Sequence, residues 1–241
     1  MSDRESSAGN SADRALIFDV DGTLAETEEL HRRAFNDAFR AAGLDWDWSV
    51  ADYARLLKTT GGKERIAAFL RDDLGETREP AWIAALHRDK IERYARRMAA
   101  GALTLRPGVR ALIDDARRAG LALAVATTTS RSNVEALCQA CFGAEADALF
   151  DVIAAGDEVA AKKPAPDVYR LALERLKRAP SVCVALEDSR NGVLSAKAAG
   201  LRCVAVRAAY TVDDDLTAAD RVLPGFDDID TVAALDAALF R

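Results

Sequence analysis

The chain has 241 residues, half of them apolar and 30% charged, with a net charge of −6. A chain of this length buries a sizeable core, and one main domain with a smaller insert is expected. The acidic balance argues against nucleic acid or an anionic membrane surface as partner, and no apolar run approaches the roughly 18 residues that span a bilayer.

Residues 1–13 are polar and carry Ser2, Asp3, Arg4, Glu5, Ser6 and Ser7 without an apolar stretch. They read as a disordered tail and not as a signal peptide. Ala15-Leu16-Ile17-Phe18 then reads as a buried parallel strand, apolar on both faces. It ends in Asp19-Val20-Asp21-Gly22-Thr23-Leu24. Two carboxylates at a strand end cost free energy unless a cation or substrate uses them. A plain structural turn is the competing reading. An EF-hand loop would need a helix before it and Glu at its twelfth position, where Leu30 stands.

From Glu26 the period changes. Leu30, Ala34, Phe35, Ala38, Phe39 and Ala42 make one helical stripe stopped by Gly43. Thr27 and His31 fall on that stripe and are expected to point inward near Asp19. Residues 44–98 read as helical throughout, broken at Gly61-Gly62 and Gly75, and hold all three tryptophans. Residues 30–98 are therefore expected to form a helical insert, with 14–29 and 99–241 as the main domain. Within the insert, Thr59-Thr60-Gly61-Gly62-Lys63-Glu64-Arg65 places backbone N–H groups and two cations ahead of a helix, a plausible anion site or else a solvated loop.

The α/β rhythm begins at Pro107, which fits the first turn of a helix closed by Gly120. Leu121–Ala126 is a second strand. It ends in Thr127-Thr128-Thr129-Ser130, hydroxyls that suit a phosphate or a helix cap. Val152–Ala155 is a third strand, followed by Lys163-Pro164, where proline stiffens the backbone carrying a cation. Val182–Leu186 is a fourth, running into Glu187-Asp188-Ser189. Cys203–Val206 is a fifth, and Asp213-Asp214-Asp215 reads as a solvated loop. Thr231–Phe240 reads as a closing helix. Cys138, Cys141, Cys183 and Cys203 lie in apolar surroundings. Cys138-x-x-Cys141 has no second pair, and His31 and His87 are distant, so core positions in a reducing compartment, the cytoplasm, are expected.

Taken together, Asp19-x-Asp21, Thr127, Lys163-Pro164 and Glu187-Asp188 occur in a fixed order, three of the four at strand ends that a parallel sheet brings to one edge. This order resembles the four motifs of the haloacid dehalogenase-like hydrolases, over essentially the whole chain after residue 13. The resemblance implies an α/β fold, a Rossmann-like parallel sheet with an inserted α-helical cap, of the β-phosphoglucomutase-like subfamily. It implies Asp19 as nucleophile and Asp21 as acid and base. Mg²⁺ would be held by Asp19, the Asp21 carbonyl, Glu187 and Asp188, and the transferring phosphate by Thr127, the Thr128 amide and Lys163. Ala25–His31, Thr60–Ile66 and Ala124–Ser130 resemble a phosphatase branch that acts on xylulose 1,5-bisphosphate. That adds Thr27, Glu28, His31, Lys63, Arg65 and Lys90 as candidates facing the sugar and its far phosphate. The expectation is a monomer with a small sugar-phosphate substrate. A phosphosugar mutase, a phosphoglycolate phosphatase and a non-catalytic phosphate-binding switch stay open as alternatives.

Overall fold

Alternating apolar residues on β1 (Ala15–Phe18) face opposite sides of a sheet and are buried on both. In the computed structural model, which describes residues 13–101 and 103–239, β1 pairs in parallel with β2 (Ala122–Ala126) and β4 (Cys183–Glu187). β3 (Val152–Ala154) extends the sheet beyond β2, and β5 (Arg202–Val206) and β6 (Arg221–Leu223) extend it beyond β4. The order is β3-β2-β1-β4-β5-β6, all parallel. The expected tail falls, for residues 1–12, outside the described residues.

Helices cover both faces. Leu16, Phe18, Leu123, Val125 and Leu186 pack under α5 (Val109–Arg118), α6 (Arg131–Phe142) and α10 (Val232–Leu239). The other face is built from Ala15, Ile17, Ala122, Ala124, Ala126, Ala185 and Ala205. Such small side chains let α8 (Asp167–Leu176) and α9 (Arg190–Ala198) lie close to the strands. A four-residue helix, α7 (Ala146–Leu149), precedes β3.

The sheet contains no residue from 28 to 99. That stretch folds as α1 (Glu28–Ala41), α2 (Val50–Leu56), α3 (Gly62–Asp73) and α4 (Pro80–Ala99). These helices enclose an aromatic cluster of Phe35, Phe39, Trp48 and Tyr53, with Ile66, Leu70 and Leu86. Leu30 and Ala34 of α1 and Tyr94 and Met98 of α4 instead join the cluster above the sheet.

Several expectations need correction: β2 starts at Ala122, β3 ends at Ala154 and β5 starts at Arg202, each one residue from its expected bound. Pro107 lies outside its helix, because Gly108 takes a left-handed conformation as N-cap and α5 begins at Val109. β4 starts one residue later than expected and includes Glu187, since Pro180–Val182 form a 3₁₀ turn. β6 has no counterpart in the sequence reading: it is three residues long, partly exposed, and too short for a period to show.

Candidate active site

Strand register sets the site. Phe18 stands level with Val125 of β2 and Leu186 of β4, so the chain leaves all three strands at one height. Asp19 follows directly, its N–H donating to Leu186 O at 3.0 Å. Glu187 and Asp188 emerge beside it. Lys163 comes from the loop after β3, which Ser195 anchors by donating to Ala165 O at 2.6 Å.

Lys163 Nζ lies 2.6 Å from Asp19 Oδ1 and 2.6 Å from Glu187 Oε1, with all three side chains buried. Tyr169, in the first turn of α8, donates to Glu187 Oε1 at 2.6 Å. Thr211 lies 2.8 Å from Asp188 Oδ2. One carboxylate oxygen each from Asp19, Glu187 and Asp188 falls within 4.8 Å of the others. Burial raises Asp19 to about 8, the Glu187 and Asp21 charges adding to it while Lys163 opposes. Burial and the Asp19 and Glu187 charges also push Asp188 well above the usual carboxylate range. Burial favours neutral Lys163, yet its two carboxylate partners prevail and raise it.

Three carboxylates with one ammonium leave two negative charges in a buried, all-oxygen site, which a hard dication balances. Two glycines make room for these oxygens. A Cβ at Gly22 would lie 2.2 Å from Asp188 Oδ2, and one at Gly192 would lie 1.9 Å from Glu187 Oε2. The donor set therefore fits the expected Mg²⁺.

Asp21 is oriented away from Lys163. Its Oδ1 accepts from Thr27 Oγ1 at 2.5 Å and pairs with His31 Nε2 at 3.0 Å. Burial raises Asp21, but His31 and the Thr27 hydrogen bond outweigh it and hold the carboxyl at about 2; burial and then Lys90 lower His31, so its hydrogen bond counts for more here than its charge. His31 stacks on Tyr94 with ring centroids 3.8 Å apart, and its Nδ1 lies 2.6 Å from Lys90 Nζ. Burial lowers Lys90 to about 7 despite the attraction of Asp21. Thr27, His31 and Lys90 thus stand behind Asp21 as a buried chain.

A cleft of about 420 Å³ opens between the sheet edge and helices α1–α4. Asp19, Asp21, Glu28, His31, Lys63, Arg65, Lys90, Thr128, Lys163 and Asp188 line it. Thr127 and Glu187 lie beneath its floor, buried, with Thr127 Oγ1 accepting from Thr129 N at 3.2 Å. Ser130 caps α6 by accepting from Asn133 N, so the cap reading holds for this hydroxyl. The three cations expected at a far phosphate are not equivalent. Lys63 is exposed on the rim. Arg65 is buried, donating to the Tyr53 hydroxyl at 2.9 Å and toward Leu56 O and Thr59 O. Tyr53 in turn donates to Glu28 Oε2 at 2.8 Å.

Sequence reasoning missed Tyr53, Tyr169, Asn191, Tyr210, Thr211 and Asp214. Asp214 accepts from Arg190 N at 2.8 Å and lines the cleft, so part of the acidic run Asp213–Asp215 faces the site. The usable signal was positional: the loop after β5 leaves the same sheet edge as Asp19. Cys138, Cys183 and Cys203 take the expected core positions while Cys141 is only half-buried; all four are free, and burial pushes the Cys138 thiol up to about 12.

Comparison with known proteins now decides the family: residues 14–200 match the profile of the haloacid dehalogenase-like hydrolases. The chain belongs to that family. It is 58% identical over 222 residues to protein CbbY of Cereibacter sphaeroides, covering 92% of this chain and 96% of the relative. A crystal structure of CbbY from Rhodobacter sphaeroides in complex with phosphate superposes with a TM-score of 0.89 at 57% identity, covering 92% of this chain and 99% of that one. A mutant of that protein, crystallised with xylulose-(1,5)bisphosphate, superposes at 0.87 with 56% identity, covering 92% and 98%. As a hydrolase of this family, the chain carries each motif residue of the sequence analysis at one sheet edge. Among the described residues, no helix is long and apolar enough to cross a membrane.

Proposed function

We propose that this hydrolase is a Mg²⁺-dependent phosphatase of sugar bisphosphates, with xylulose 1,5-bisphosphate as substrate, acting as a cytoplasmic monomer. The relative crystallised with that bisphosphate, alike over nearly the full length of both chains, carries the reading. The cleft supports it, being of a size to enclose a small phosphorylated sugar. In this reading α1–α4, residues 30–98 in essence, act as a cap over the sheet edge and exclude water during transfer.

The roles are those the family resemblance implies, supported by the gathering of these residues at one sheet edge. Asp19 attacks phosphorus and the bond to the sugar oxygen breaks, leaving an aspartyl-phosphate. Lys163, Thr127 and the Thr128 amide hold the transferring phosphoryl oxygens. Asp19, Asp188, Glu187 and the Asp21 carbonyl would hold Mg²⁺, which would supply charge neutralisation at that group. Asp21 gives its proton to the departing sugar oxygen, then takes one from the water that cleaves the aspartyl-phosphate and restores Asp19. Held at about 2 by His31 and Thr27, Asp21 rests in the form that activates water. An incoming phosphate dianion favours its protonated form. Thr27 and His31 orient Asp21, with Lys90 behind His31. Glu28 faces the sugar hydroxyls, and Lys63 meets the far phosphate with Arg65 behind it.

The test is phosphate release with Mg²⁺ from xylulose 1,5-bisphosphate, ribulose 1,5-bisphosphate, β-glucose 1-phosphate and phosphoglycolate. The expected outcome is preference for the first with the second spared. Conversion of glucose 1-phosphate to the 6-phosphate would overturn the phosphatase reading in favour of a mutase.

A further inference from the structure

Two adjacent residues in the loop between β5 and β6 grip different parts of the molecule. The Thr211 hydroxyl lies 2.8 Å from Asp188 Oδ2 and 3.0 Å from the Asp188 carbonyl oxygen. The Tyr210 hydroxyl donates to Glu29 Oε2 on α1, and its ring meets Tyr53 of α2 edge-on at 5.8 Å. The loop is tied on both sides of this pair. Ala209 N donates toward the Glu26 carboxylate, and Asp214 accepts from Arg190 N at 2.8 Å. A second tie crosses nearby: Asn191 Nδ2 donates to Thr60 Oγ1 at 2.9 Å and to Lys58 O at 3.2 Å, joining the start of α9 to the loop before α3.

Asp188 is crowded by like charge and held by few donors, with Thr23 Oγ1 a long 3.5 Å away. Its carboxylate therefore depends on Thr211 for direction. Tyr210 and Thr211 are adjacent in a loop tied at Ala209 and Asp214, so displacement of Tyr210 with α1 and α2 shifts the backbone that carries the Thr211 hydroxyl.

We propose that Thr211 is a positioning residue that aims the Asp188 carboxylate, and that Tyr210 makes this aim depend on seating of the helical cap. The inference rests on the reading of Asp188 as a cation ligand beneath a mobile cap. Cation affinity and cap position are then linked and reciprocal: a seated cap tightens the site, and a bound cation favours the seated cap.

The experiment is Mn²⁺ titration of the full chain, followed by loss of the free-ion paramagnetic resonance signal, with no substrate present. Thr211→Val is expected to weaken Mn²⁺ on the order of 10-fold, as loss of such outer partners does, and Thr211→Ser to restore it. Tyr210→Phe, which keeps the ring, is expected to weaken it about 3-fold, and the double variant to bind no more weakly than Thr211→Val alone. Tyr210→Phe binding like the unaltered chain, or the two losses multiplying, overturns the linkage. Thr211→Val with unchanged affinity overturns the positioning role; should it fail to fold, Thr211→Ala, which also removes the hydroxyl, decides in its place. An unaltered chain that binds no Mn²⁺ overturns the metal reading itself, while a wrong substrate shows only in the release panel.

Discussion

Asp19 and Asp21 stand two residues apart and titrate in opposite directions because their partners differ. Asp19 shares Lys163 with Glu187 and lies among carboxylates, which leaves burial uncompensated. Asp21 instead accepts from Thr27 and pairs with His31. The two substitutions by Asn should therefore part company. Asp19→Asn removes the nucleophile, and steady-state phosphate release should fall below detection. Asp21→Asn keeps the nucleophile, and kcat should fall on the order of 10²–10⁴-fold. A single-turnover experiment separates them further: Asp21→Asn should trap phosphorylated protein where its hydrolysis step is the slower one, whereas Asp19→Asn should form none.

Gly22 and Gly192 constrain the carboxylates that leave the end of β4. Gly192 sits in the first turn of α9, where a Cβ would collide with Glu187 Oε2 at 1.9 Å. Gly192→Ala should push Glu187 from Lys163 and Tyr169, raising the Mg²⁺ concentration for half-maximal rate about 10-fold or more. Equal Mg²⁺ dependence in the variant would mean that Glu187 has room to retreat. Such couplings bear on what could be read in advance. β1, β2, β4 and the four motifs were legible because buried strands are continuous apolar runs and their ends carry unusual polar groups. The partners Tyr169, Thr211 and Asn191 were not, since a Tyr in a helix or a Thr in a loop has no local signature. Their roles come from contacts spanning 18, 23 and 131 positions, respectively to Glu187, Asp188 and Thr60. The Asp213–Asp215 run was misleading in part because composition describes solvated loops well and says nothing of which way one carboxylate turns.

The molecule as a whole is acidic, yet the cleft gathers cations on its helical side: Lys63, Arg65 and Lys90, with His31 and His87. Burial first, then the charges of Lys90, Lys63, His31 and Arg65, lower His87 to about 3 from 6.5. A histidine lowered in the folded state is neutral there and binds its proton more readily when unfolded. Its contribution to stability is thus complete above pH 6.5 and declines as pH falls toward about 3. Asp19, raised when folded, acts with the opposite sign between about 4 and 8, so the readout is a difference. Relative to the unaltered chain, His87→Gln should flatten the fall of the urea midpoint between pH 6.5 and the acid limit. Parallel midpoint curves would refute it.

β1 lies in the middle of its sheet, flanked by strands that begin at Ala122 and Cys183. The first strand to leave a ribosome therefore has neither neighbour. At about 5–20 residues per second, the interval between Asp19 and Asp188 is roughly 10–30 s of synthesis. Until β2 is made, from Ala122, the strand has no sheet partner, and until Asp188 its acidic end lacks the carboxylates beside it; folding must close loops of more than a hundred residues before β1 is enclosed. A nascent chain stalled before β4 should remain protease-sensitive at β1 and release no phosphate, because Glu187 and Asp188 have not yet been made.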